Sequence, residues 1–389
     1  MLNARNDKSL VIIIVRDHSG CSHVRLRWNA MYYNGFDQIG FTPIITPQPI
    51  FDATILKQTK AIIYQRPIGD QDIAVLQEYK IHQKKFGYKI VFECDDQIFD
   101  IDGEGLPEYN MASEGFNKDI QGINERVAKA VSLCDEIVVS TDYLKDAFIK
   151  KFNCQNIRVI RNVVPRFLWS YPRKPHITED LKKPKIIYTG SPCHYRNPCP
   201  PKVDRDHPDG ILADLGDFDC AWKDWIIKMV KEDKIDFTVV GSQPYFFAEI
   251  ANKIKQLPWK DTTSYPRQVL EEHADFAIAP IVENQFNKCK SSLRFIEACA
   301  AGSLLLGTVF KDNKFSPYED IADPCKFYLD VTMNEIDERF WALCKKDNYN
   351  AILDWQYDQL NNNGWWMEST KHADEWMSMI DGNPNEKFI

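Results

Sequence analysis

The chain has 389 residues, 44% hydrophobic, 12% aromatic and 27% charged, which excludes a disordered polymer and gives enough length for two domains of ordinary size. Its formal net charge of −8, from 48 basic and 56 acidic residues, excludes a surface that adheres everywhere to nucleic acid or anionic lipid, although a local basic patch is compatible with it. Eleven scattered cysteines fit reduced thiols in a cytoplasm better than a disulfide framework, and no run approaches the roughly 18 apolar residues of a membrane span.

From the N-terminus, "SLVIIIVRD" is too short and too soon charged for a signal peptide and reads as a strand, followed by a helix over "SHVRLRWNAMYYNG". Strand "KAIIYQRP", helix "DQDIAVLQEYKIHQKKFG" and strand "YKIVFECDD" come next. Helix then strand follow in "NERVAKAVSLCDEIVVST" and again in "DYLKDAFIKKFNCQNIRVIRNVV". Nearly continuous Val/Ile runs alternating with helices predict a parallel sheet covered on both faces. Residues 1–165 therefore read as one doubly wound, Rossmann-like domain. The proline-rich, charged segment 166–184 reads as a linker.

Alternation resumes over 185–335: strand "KIIYTGS", helix "CAWKDWIIKMVKED", strand "IDFTVVGS", helices over "PYFFAEIANKIKQL" and "PRQVLEEHA", strand "DFAIAPI", a helix in "FNKCKSSLRFIEACAAG" and strand "GSLLLGT". Residues 336–389 carry helical spacing with a polar break at "NNNG", and are expected to pack back across the cleft. The fold class is thus α/β, two Rossmann-like domains facing a cleft, with C-terminal helices.

Such domains direct strand C-termini and helix N-termini at the shared cleft, which favours a phosphate-bearing ligand. A helix starting near Ser291 would offer the N–H groups of Ser291 and Ser292, beside the charge of Lys290. Glu297, six residues on, would lie within reach of a sugar hydroxyl. The alternative is a capped surface helix with a solvated lysine and glutamate. In the first domain, "VRDHSGCSHVRLRW" gathers Arg16, His18, His23, Arg25 and Arg27 around Gly20, and Arg66 ends another strand. These cations are candidates for an anionic acceptor or for donor phosphates, although any single arginine more often pairs with a surface carboxylate. Asp95 and Asp96 end a strand where doubly wound sheets place chemistry; strand alternation predicts only one of them in the cleft. Cys193, His194, Cys199, His207 and Cys220 do not have the spacing of a structural zinc knuckle, so no metal is expected.

These residues carry a resemblance. "YPRQVLEEHADFAIAPIVENQFNKCKSSLRFIEACAAGSLLLGT" resembles the donor-binding region of GT-B glycosyltransferases, in a bacterial and tailed-phage branch with the pattern "FN..KS..K..E". "KIIYTGSPCHYRN", "DFTVVGSQP", "GCSHVRL" and "KIVFECDDQIF" are similar to further segments of that branch, over most of residues 10–305. The resemblance implies that Glu297 accepts from the nucleotide ribose, that Lys290, Ser291 and Ser292 hold the diphosphate, and that Gly190, Ser191 and Gly241 form small-residue turns near it. Trp259 falls where the nucleobase is commonly placed, and His194 near the transferred sugar. Asp95 or Asp96 would orient or deprotonate the acceptor hydroxyl, with Arg16, Gly20, Arg25 and Arg66 on the acceptor side. Cys289 stands where many retaining members have a sugar-binding glutamate.

The expected activity is sugar transfer from a nucleotide sugar, UDP-linked by preference, with retention, no metal and no further cofactor, in the cytoplasm and away from membranes. The specific acceptor expected from the resemblance is 5-hydroxymethylcytosine in double-stranded bacteriophage DNA. Three alternatives stay open: a transferase for a surface polysaccharide or protein, a non-catalytic nucleotide-sugar-binding relative, and a nucleotide-sugar epimerase.

Overall fold

The computed structural model describes residues 8–16, 20–34, 41–100, 120–169, 173–190, 216–218, 222–241, 243–281, 283–308, 328–329 and 333–382. Its strands form two parallel six-stranded sheets. The first contains β1 (Leu10–Ile14), β2 (Thr42–Thr46), β3 (Thr59–Gln65), β4 (Lys89–Cys94), β5 (Glu136–Val139) and β6 (Ile157–Val159), in the order β2-β1-β3-β4-β5-β6. The apolar runs are buried on both faces, as parallel strands under helices must be.

Around this sheet lie α1 (Trp28–Asn34), α2 (Ala53–Gln58), α3 (Asp70–Phe86), α4 (Ile120–Leu133) and α5 (Asp142–Phe152). A turn at Gly20–Ser22 and a π-helical turn at His23–Arg27 lead into α1. Strand β2 and helix α2 add to the pattern expected from the sequence. The Asp52 carboxylate caps α2, accepting from the N–H groups of Thr54 and Ile55.

The short helix α6 (Arg166–Trp169) leads towards the second sheet: β7 (Lys185–Gly190), β8 (Asp236–Gly241), β9 (Lys255–Leu257), β10 (Phe276–Ala279), β11 (Leu304–Thr308) and β12 (Tyr328–Leu329). Their order is β12-β11-β10-β7-β8-β9. Its helices are α7 (Trp222–Lys231), α8 (Tyr265–Glu271), α9 (Gln285–Lys288) and α10 (Leu293–Ala301), then α11 (Met333–Leu343), α12 (Lys346–Asn362) and α13 (Thr370–Asp381).

One expected helix is absent. "PYFFAEIANKIKQL" forms only a 3-10 turn at Tyr245–Ile250 and then strand β9. Phe247 and Ile250 bury at a spacing that a tight turn also satisfies, while pairing of Lys255–Leu257 with β8 claims the rest of the segment.

The chain passes between the lobes twice, and the two crossings are stitched together. Val164 N–H donates to Trp365 O (3.1 Å) and Met367 N–H to Val164 O (2.9 Å). Beyond the second crossing, α13 lays Trp376, Met379 and Ile380 on the first sheet beside Val11, Ile13 and Val91. Among the described residues no helix is long and apolar enough to cross a membrane.

Candidate functional site

A cleft of about 840 Å³ opens between the lobes. In the second sheet the strand order reverses between β7 and β10, and the residues at their ends (Tyr188, Thr189, Ala279, Pro280) line the cleft. In the first sheet it reverses between β1 and β3, and the cleft is lined by Gly20 and Cys21 after β1 and by Asp95 and Asp96 after β4. The site therefore sits at facing switch points, where strand ends leave a crevice between helices that turn away in opposite directions.

The wall contributed by the second lobe is built around α10. The helix begins at Leu293, two residues later than the sequence suggests, with Ser292 as N-cap; the Ser292 hydroxyl makes no capping bond. Its first-turn N–H groups are those that an α-helix leaves without an internal partner. Glu297 follows at the cleft wall, its side chain 13% exposed, with Oε2 accepting from Arg294 Nη1 (3.1 Å) and Tyr265 OH (3.4 Å). Burial raises its carboxyl above the ordinary range, against the opposing charge of Arg294 and the hydrogen bonds from Arg294 and Tyr265. Arg294 also donates to Thr189 Oγ1 (2.6 Å) and to Tyr265 OH (3.0 Å), tying α10 to β7.

Gly190 and Gly241 are partners at the ends of β7 and β8. A Cβ at Gly190 would lie 2.1 Å from the Tyr188 hydroxyl. Gly241 has φ +104, and a Cβ there would come within 2.9 Å of the Trp259 ring and 3.0 Å of Gly190 O. Trp259 thus lies against a glycine floor, stacks on Tyr265 (centroids 5.3 Å, 24°) and remains 50% exposed beside the cleft.

On the opposite wall a charge cluster gathers. Arg66, strained at φ +43, donates from Nε to Asp95 Oδ1 (3.1 Å), and its Nη2 lies 3.4 Å from Asp96 Oδ2. Burial alone would raise the Asp95 carboxyl, but the Arg66 guanidinium outweighs it and holds the group below its usual range. Lys290 reaches across from the other lobe to Asp96 Oδ1 (3.4 Å) and lies over the Phe286 ring (4.4 Å). Burial opposes its charge, yet Asp96, foremost among its neighbours, keeps its pKa above the ordinary value. Both aspartates line the cleft, against the expectation of only one. The strand ends at Cys94, so the alternation of strand side chains no longer applies to them.

Cys21, Asp95 and Asp96 bring one ligand atom each within 4.8 Å of one another. The carboxylates are already engaged by Arg66 and Lys290, and burial pushes the Cys21 thiol well up, away from the thiolate that a metal requires.

Several candidates do not face the cleft. Arg25 is 1% exposed and binds Glu93 Oε1 (2.7 Å), Ile160 O (2.6 Å) and Asn162 Oδ1 (2.9 Å) in the first lobe. It is therefore a positioning residue, since Asn162 Nδ2 in turn donates to Ser291 Oγ (2.7 Å) at the cleft. Arg16 lies outside the cleft lining and pairs with Asp72 (3.2 Å). Gly20 does line the cleft, in open space that a Cβ would not crowd.

Cys289 is fully buried within the apolar core of the first lobe, where its carbonyl accepts from Thr141 Oγ1 (2.9 Å) and its thiol approaches Gln97 Oε1 (3.5 Å). It does not line the cleft, so no side chain at 289 takes the place of a sugar-binding glutamate. His18, Ser191 and His194, with Cys193, Cys199, His207 and Cys220, lie outside the described residues.

Arg294, Tyr265 and Trp28 are among the cleft residues that escaped sequence reasoning. Arg294 occupies the second lysine position of the quoted "FN..KS..K..E" pattern, so its signal was present. Tyr265 and Trp28 gave none; Trp28 lines the first-lobe wall, and its buried Nε1–H has no hydrogen-bond partner among the described residues.

The sequence matches no protein-family model and no curated protein. Among the solved structures that share its architecture are TarM (TM-score 0.52, 10% identity, 90% of this chain and 57% of TarM), and an S. aureus TarM variant in complex with fondaparinux, alpha-GlcNAc-glycerol and UDP (0.51, 11%, 90% and 58%). The fold is GT-B. The chain spans little more than half the length of TarM. A GT-B chain places one lobe on each side of the crevice just described, with α10 and the glycine pair on the C-terminal side and the Arg66 cluster on the N-terminal side.

Proposed function

We propose that this GT-B protein transfers a sugar from a nucleotide diphosphate sugar to an acceptor hydroxyl. The observation that carries the reading is Glu297, a largely buried carboxyl group on a helix whose N-terminus opens into the same cleft as Lys290 and Arg294. That sequence of groups matches a ribose followed by a diphosphate. The exposed Trp259 face supports a place for the base. UDP is the preferred nucleotide, and the presence of UDP in the complex of a TarM variant supports that choice.

In this reading, negative charge growing on the departing diphosphate meets Lys290, Arg294 and the α10 N-terminus, so the stabilisation is electrostatic and needs no metal. Lys290 must leave Asp96 to do so, which frees Oδ1 of that carboxylate to orient or deprotonate the acceptor hydroxyl while Oδ2 stays beside Arg66. Asp95, locked to Arg66, holds the loop in place. Retention of configuration is the expected outcome.

For the acceptor we propose 5-hydroxymethylcytosine in bacteriophage DNA, acted on in the host cytoplasm, with the base rotated out of the duplex to reach the cleft. A second reading, a neutral glycan or protein hydroxyl, is favoured by one observation: Arg16, Arg25 and Arg66 are all paired with carboxylates, so the first-lobe wall presents little spare positive charge. The test is mass spectrometry of nucleosides from hydroxymethylated DNA incubated with the protein and a panel of UDP-sugars. A hexose or pentose mass that disappears with Glu297→Ala supports the DNA reading. No added mass with UDP binding intact overturns it in favour of the second, and no binding of any nucleotide sugar overturns the transferase reading itself.

A further inference from the structure

The segment that leads into α10 docks on the first lobe at three consecutive residues. The Cys289 carbonyl accepts from Thr141 Oγ1, Lys290 sits beside Asp96, and Ser291 Oγ accepts from Asn162 Nδ2 (2.7 Å). The third contact has a charge behind it. Asn162, 6% exposed between β6 and the first crossing, also accepts at Oδ1 from Nη1 of Arg25 (2.9 Å), and Arg25 is itself held in the core by Glu93 and the Ile160 carbonyl.

An asparagine amide can in general sit either way round, but this one is fixed. A guanidinium only donates, so the atom that faces Arg25 has to be the amide oxygen, and the NH₂ group has to face Ser291. Met by that donor, the Ser291 oxygen acts as acceptor, and its own O–H must point elsewhere. The bond from Asn162 is the one hydrogen bond that the Ser291 side chain makes among the described residues, and both residues line the cleft with Lys290. The hydroxyl proton is thereby left for an oxygen acceptor that a ligand brings.

We propose that Asn162 is a positioning residue for the donor: it directs the Ser291 hydroxyl to an oxygen of the nucleotide diphosphate. This role rests on the nucleotide-sugar reading of the cleft. It gives the buried Arg25–Glu93 pair an effect at the ligand, delivered through one amide. Because Asn162 and Ser291 belong to opposite lobes, parting the lobes breaks their bond and lets the hydroxyl turn freely, so diphosphate affinity is linked to lobe closure.

The test is calorimetric titration of the full chain with UDP, or with ADP, GDP or CDP should the chain prefer one of them. Asn162→Asp keeps a partner for Arg25 and a bond to Ser291 but reverses that bond, since a carboxylate takes the hydroxyl proton that the amide leaves for the ligand. The expected result is a loss of about tenfold or more in Asn162→Asp and in Ser291→Ala, with the Asn162→Asp loss clearly smaller in the Ser291→Ala background. Unchanged affinity in Asn162→Asp would show a bond that only holds the lobes together, and an undiminished loss in the Ser291→Ala background would show plain charge repulsion; either overturns the role. Should Asn162→Asp not fold, Asn162→Ala decides by ligand: a several-fold loss for the nucleoside diphosphate, with binding of its nucleoside unchanged by saturation-transfer NMR, sustains the role, and any other pattern overturns it. A wild-type chain that binds none of the four nucleotides overturns the nucleotide-sugar reading and this role with it.

Discussion

The two walls of the cleft were equally visible as positive charge in the sequence, yet only one presents its cations at the surface of the cleft. In the second lobe, Lys290, Arg294 and Glu297 all line the cleft; in the first, Arg25 turns into the core, Arg16 pairs outside the lining and Arg66 is held by Asp95. The difference lies in what fixes each side chain. Around α10 the helix start and an i,i+3 pair set direction locally. The first-lobe arginines are directed by carboxylates many residues away, Glu93 lying 68 positions from Arg25.

The sharpest way to break that comparison is Arg25→Met. Removing one partner of a fully buried ion pair should cost roughly 3–5 kcal/mol in urea unfolding, with much of it recovered in Arg25→Met/Glu93→Leu. A loss under about 1 kcal/mol would return Arg25 to the set of ligand-binding cations.

Next in size is a pH effect on the helix that ties the C-terminus to the first lobe. His372, 2% exposed, has its pKa lowered to about 3 by burial, with the Arg25 charge adding to it. The unfolded chain takes up the proton near pH 6.5 while the native state stays neutral, so protons favour the unfolded state throughout that interval. Stability should fall by about 1.4 kcal/mol per pH unit from below 6.5 towards 3, and His372→Gln should flatten that slope in denaturation curves taken across the range.

On the second wall, Glu297→Gln should weaken UDP-sugar binding by about 10- to 100-fold, the range of a hydrogen bond to a charged group, read by calorimetric titration, with the melting temperature in a thermal scan nearly unchanged. Trp259→Ala should cost roughly 0.5–1.5 kcal/mol of the same binding, a several-fold loss. Arg16→Ala should be the smallest change, within about 1 kcal/mol of stability and with donor affinity unaltered. An altered affinity would place Arg16 back at the ligand.

Two doubly wound lobes were legible because buried parallel strands write themselves as unbroken Val/Ile runs. The α10 site was legible because Lys290, Ser291 and Glu297 sit within eight residues of one another. What escaped depended on distant partners. Nothing beside Tyr265 announces that its ring meets Trp259 on one side and Trp169 on another, and no local pattern tells that Lys255–Leu257 prefers an edge of the sheet to a helix. The paired aspartates were misjudged because strand periodicity was extended past the point where β4 stops.

The position of Cys289 turns the protein into its own stopwatch. The donor loop inserts this thiol into the apolar core of the opposite lobe, and burial pushes its pKa up to about 12. A thiol reagent can meet Cys289 only in the fraction of time that the loop has withdrawn, so its alkylation rate, followed peptide by peptide, counts separations of the lobes. A donor that holds the lobes together would slow that clock, and a product that lets them part would quicken it, with no reporter residue introduced into the chain.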